Sequence, residues 1–141
     1  MAQTSSLKLL AEDVADLAII SAALQDAVAQ VGDMSYEART RRLTILFNRF
    51  RWEAATRQRV RSALQIGGVL EMQARKIRRE VPDAVVELLT IGFEPGETPA
   101  GLLTLSFAGG GDLRVRIECI DAILADVSQP WPTPRTPSHD R

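Results

Sequence analysis

Twelve bases lie between Arg39 and Arg79, against two acids, Glu53 and Glu71. The segment carries +10, so the rest of a chain of net charge −1 carries −11. Arg49 and Arg51 are spaced by two, as are Arg57, Arg59 and Arg61. On strands each set projects from one face. Phe50 and Trp52 are interleaved with them. Guanidinium and aromatic surfaces together are what single-stranded RNA binders use for phosphate contact and base stacking. Arg49, Arg51, Trp52, Arg57, Arg59, Arg61 and Arg75 are therefore the candidate binding residues. The competing reading is a solvated face paired with acids from elsewhere in the chain. For Phe50 and Trp52 it is core packing.

Other chemistry is sparse. Cys119 and His139 are the single cysteine and histidine. Two ligands cannot close a structural zinc site, and one cysteine cannot form an intrachain disulfide. No metal and no cofactor is implied. His139 lies in a proline-rich end, a poor place to hold a catalytic base. Cys119, flanked by Ile117 and Ile120, reads as a small buried hydrophobe. The acid pairs Asp13–Asp16 and Asp121–Asp126 read as solvated positions on amphipathic helices. Gly109–Gly111 joins two strand patterns, so it reads as a hairpin loop rather than a phosphate cradle. With no nucleophile, base and orienting group in view, the reading leans away from an enzyme. An enzyme would need Arg, Asp, Tyr36 or backbone amides gathered in a pocket.

The elements that must position these residues follow from periodicity. Leu7–Leu10 is a first strand. Val14, Leu17, Ile20, Leu24, Ala27 and Val28 share one face of a helix over about 13–28, with Asp13 as N-cap. Leu43, Ile45 and Phe47 alternate as a strand. Phe50 and Trp52 then take the other parity, which predicts a bulge near Phe47–Arg49. From Arg59 to Lys76, Val60, Leu64, Ile66, Leu70, Met72 and Ala74 are even, and Arg61, Gln65, Glu71, Gln73 and Arg75 are odd. A tight hairpin at Gly67-Gly68 would set one arm's apolar face beside the other's charged face. One long strand bent at the glycines, or a bulged connection, fits better. Val85–Phe93 is apolar on both parities and reads as a covered central strand. Leu103–Phe107 and Leu113–Ile117 complete an antiparallel meander. Ile120, Ile123, Leu124 and Val127 predict a second helix over about 119–127.

The segments LKLLAEDVADLAIISAALQDAVAQVGDMSY (Leu7–Tyr36), FNRFRWE (Phe47–Glu53) and RVRSALQIGGVLEMQARKI (Arg59–Ile77) resemble a bacterial family known as domain of unknown function 2948. The Asn-Arg-Phe-Arg-Trp-Glu run is its most specific marker. The resemblance extends to about Val127 and implies a small bacterial, cytoplasmic, single-domain protein. It supplies no activity, substrate or site residues.

The 141 residues, 45% hydrophobic and 25% charged, suit one soluble globular domain and exclude a collagenous or wholly disordered chain. The expectation is an α+β domain over 1–128. A mostly antiparallel sheet of about six or seven strands forms a roll or partly open barrel, similar to pleckstrin-homology-like folds and capped by the last helix. A flatter sheet with both helices on one face is the alternative. Residues 129–141, with four of the seven prolines, read as a disordered tail, or one that docks Trp131 back on the domain. No segment is long and apolar enough to span a membrane, and neither a secretory signal nor a myristoylation pattern is seen. The functional expectation is a non-enzymatic protein-binding or adaptor module in the cytoplasm, acting on a protein partner or by self-association. The alternative is RNA or another polyanion bound through the arginine-rich strand face at 39–79.

Overall fold

The computed structural model describes residues 6–137. Their strands are β1 (Lys8–Ala11), β2 (Val28–Gln30), β3 (Met34–Glu37), β4 (Arg42–Phe50), β5 (Gln58–Ile66), β6 (Val69–Arg75), β7 (Val85–Pro95), β8 (Gly101–Phe107), β9 (Asp112–Ile117), β10 (Ala122–Asp126) and β11 (Trp131–Pro132). One α-helix, α1 (Val14–Ala23), follows β1. The strands form one open antiparallel sheet in the order β1-β10-β5-β4-β2-β7-β8-β9-β6, with β3 beside β4 and β11 beside β5. The fold is α+β with 11 strands, not six or seven.

Connectivity makes the sheet curl. β5 lies in one half of the order and β6 at the far edge of the other, yet only Gly67-Gly68 separate them. Gly68 has φ +64°, which a side chain would strain. Beyond the bend β6 pairs with β9 and not with β5. The parity conflict that argued against a tight hairpin therefore describes the real path. Curling brings Phe47, Ile45, Leu64, Leu88, Leu103, Leu105, Ile117 and Leu124 into one core with Ile20 and Leu24 of α1. Burying each such side chain contributes roughly 1.5–3 kcal/mol.

The C-terminal helix expected at 119–127 is absent, and with it the cap of a pleckstrin-homology-like roll. β10 fills a slot between β1 and β5, with Ala122 and Leu124 alternating into the core. Helical spacing and strand alternation both fit a run this short, and the two neighbouring strands decide between them. The first helix is also shorter than expected. Asp13 caps it through an Asp16 N–H bond of 2.8 Å, but it ends at Ala23. Asp26 then turns the chain with φ +63°, and Val28 opens a strand. The bulge expected near Phe47–Arg49 is missing too. β4 pairs with β5 without a break from Leu43↔Ile66 to Phe50↔Arg59. β7 is central in the order but only partly covered, with Leu88 and Ile91 buried and Val85 and Leu89 exposed. The meander β7-β8-β9 is present, and Gly109–Gly111 lies in its hairpin loop. In the proline-rich segment, Trp131–Pro132 pairs with β5, and Thr133 donates to the Arg57 carbonyl.

Candidate functional site

An unbroken β4 register has a chemical consequence at Arg49. It shares the parity of Leu43, Ile45 and Phe47, so its side chain enters the interior and is 0% exposed. There it is held by two carboxylates. Nε and Nη2 each donate at 3.0 Å to the two oxygens of Asp126, while Nη1 and Nη2 donate at 3.0 and 2.8 Å to those of Glu53. The Ser62 hydroxyl donates to Asp126 Oδ1 at 2.6 Å, and the Leu7 N–H donates to Oδ2 at 2.9 Å. The network ties β4, β5 and β10 to the start of the chain. Burial alone would push Asp126 up, but bonds from Arg49, Ser62 and Leu7 hold it below the usual aspartate range. The Arg49 hydrogen bond likewise holds Glu53 low against partial burial. Burial works against the Arg49 charge, and the bonds to Glu53 and Asp126 outweigh it and raise its pKa.

This cluster is a clasp, not a reaction centre. Ser62 is buried, and the carboxylate it meets is a weakened base that already serves a guanidinium. Two expectations are corrected here. Asp126 is not a solvated helix acid, because it completes the clasp from a strand. Arg49 and Arg51 do not project into solvent. Arg51, 8% exposed, reaches Gln58 Oε1 and lies 3.6 Å from Glu53. Much of the FNRFRWE run thus works inside the fold, and Asn48 adds a side-chain bond from Arg61.

The other candidate residues separate. Arg61 pairs with Asp33 at 3.1 Å, and Arg75 pairs with Asp112 at 2.6 Å in the distant β6–β9 half. Arg57 is exposed and Arg59 half-buried. Phe50, Arg59 and Trp131 stand in one cross-strand row on β4, β5 and β11, and directly opposed residues share a face. Trp52 is 39% exposed, stacks edge-on to Phe50 at 4.7 Å, and donates its indole N–H to the Gln25 carbonyl at 3.4 Å. That bond sets Trp52 beside the residues that follow α1. Cys119 is exposed, not buried as expected. His139 lies outside the described residues.

Sequence reasoning missed the surface of α1. Leu17, Ile20 and Leu24 face the core. At 100° per residue, Ala15, Ala18 and Ala22 form the opposite pole, flanked by Val14 and Ile19. All five are exposed, Val14 at 57% and Ile19 at 56%. Asp16 is the helix's one charged residue and lies off this face. A surface helix normally turns charged or polar residues outward. The readable signal was the near-absence of polar residues from Val14 to Ala23.

A family model described as "Protein of unknown function (DUF2948)" matches residues 7–139. The chain belongs to that family. The DUF2948 match runs through the proline-rich segment, which was expected to lie outside it. No curated protein and no solved structure matches the chain. Among the described residues of this DUF2948 protein, no group of three or more His, Cys, Asp or Glu is arranged to hold a metal ion, and no helix is long and apolar enough to cross a membrane.

Proposed function

We propose that the protein is a non-enzymatic protein-binding module that docks its partner on the outward face of α1, with Trp52 at the rim. The carrying observation is that face itself: Val14, Ala15, Ala18, Ile19 and Ala22 meet water with no charge among them. The alanine pole lets a partner's backbone approach closely, and Val14 and Ile19 give it apolar surface to cover. Trp52 adds the residue type most enriched among interface hot spots. A cytoplasmic setting accords with the single cysteine.

A second reading, a polyanion bound by the outer face of β5, draws on the row Phe50–Arg59–Trp131 with Arg57 nearby. It is the weaker reading because the local +10 is dispersed. Arg49 and Arg51 are internal, and Arg41, Arg61 and Arg75 are ion-paired. Two variants separate the readings. Affinity capture with the full chain should yield a partner protein that Ile19→Asp loses and Arg57→Glu/Arg59→Glu retains. Fluorescence anisotropy against mixed single-stranded RNA should show no binding at about 50 mM salt, where phosphate contacts are strong. Saturable RNA binding lost in the double arginine variant, with no protein lost by Ile19→Asp, would overturn the first reading in favour of the second.

A further inference from the structure

Far from α1, two strand edges line one slot without pairing to each other. β3 pairs with β4 alone, and β6 with β9 alone. Between them lies a cavity of about 290 Å³. Met34 stands on its β3 side and Met72 and Ala74 on its β6 side, while Leu43 and Leu113 come from the strands behind. The slot is pinched at both ends. Val69 donates to the Arg41 carbonyl at 3.0 Å at one end, and Gly32 donates to the Pro82 carbonyl at 2.9 Å at the other. A through-running peptide strand does not suit an opening closed at both ends. A compact ligand does.

The lining specifies its chemistry. Seven of the ten lining residues are apolar, and no carboxylate is among them. The polar remainder is Ser35, Tyr36 and Arg79. The Arg79 side chain has no ion pair among the described residues, and it closes a basic run with Arg75, Lys76 and Arg78. Methionines suit such a wall because their flexible thioethers adapt to a chain of variable shape. The volume is that of roughly ten water-sized groups.

We propose that this slot binds an anionic amphiphile, a free straight-chain carboxylate of about eight to ten carbons. Its chain lies between β3 and β6, and its head lies on the Arg79 guanidinium. The proposal does not depend on α1. Calorimetric titration of the full chain with decanoate, decylamine and decanol tests it. The expected result is one saturable decanoate site, with decylamine about tenfold weaker or worse. Arg79→Gln should cost decanoate about tenfold while leaving decanol unchanged. Ile19→Asp should leave decanoate binding intact, which excludes the α1 face as its site. Amide chemical shifts of the unaltered protein should move at residues 31–36, 72–79 and 113, a readout that needs no variant. Non-saturable uptake, equal affinity for decylamine, indifference to Arg79→Gln, or shifts clustered on residues 14–23 would each overturn the proposal.

Discussion

Arg49 and Ile19 stand in each other's expected places. An arginine is 0% exposed in the interior of the β4–β5–β10 region, and an isoleucine is 56% exposed on α1. The difference lies in what each has around it. The guanidinium has two bidentate carboxylates, so its burial is compensated within the chain. Nothing among the described residues covers the outward face of α1. The clasp is a finished interaction and the helix face an unfinished one. The proposed reading therefore places function on the apolar surface and gives the charge-rich motif a role in stability.

The largest effect should come from opening the clasp. Asp126→Ala leaves Arg49 buried without its buried partner and should cost about 3–5 kcal/mol in urea unfolding. Replacing both residues by apolar ones, Arg49→Met with Asp126→Leu, should recover much of that loss. A double variant as unstable as Asp126→Ala would show that the region needs its charges and not merely their compensation.

The clasp should also be visible in pH. Asp126 and Glu53 are held below their ordinary values, so their stabilisation is complete above about pH 4, the unfolded range. It is lost as pH falls through the lower folded values. Unfolding free energy should drop on acidification below about pH 4, and the drop should be shallower in Asp126→Asn. Equal slopes in the two proteins would remove Asp126 from the account.

Smaller effects separate backbone from surface. Gly68→Ala puts a side chain at φ +64° where β5 bends into β6, and should cost about 1–2 kcal/mol of unfolding free energy. Ile19→Asp should change stability by about 0.5 kcal/mol or less, because its side chain already meets water. A loss near 3 kcal/mol would mean that Ile19 packs inside the fold, and the contrast with Arg49 would fail.

What was legible in the sequence was local and periodic. Leu103–Phe107 and Leu113–Ile117 alternate because one face of each strand is core, and Asp13 announced its own cap. The parity mismatch across Gly67-Gly68 argued against a tight hairpin from sequence alone. Arg49 was half legible. Continuing the odd parity of Leu43, Ile45 and Phe47 points it inward, but the buried one of its two carboxylate partners, Asp126, lies 77 residues away. With only Glu53 close in sequence and no buried partner in view, such a charge reads as solvated. β10 was misread because Ile120, Ile123 and Leu124 also satisfy a helix, and the neighbours that settle the matter, β1 and β5, lie far earlier in the chain. The seven-residue candidate site dispersed for the same reason: spacing gives a face, and register decides which way the face looks.

The most direct test is site-specific photocrosslinking in cells that express the full chain, with the photoreactive residue at position 18 in one protein and at position 57 in another. A discrete protein adduct at 18 and none at 57 is the predicted result. Adducts confined to 57, or none at 18 when partners are captured by other means, would contradict the assignment of function to α1.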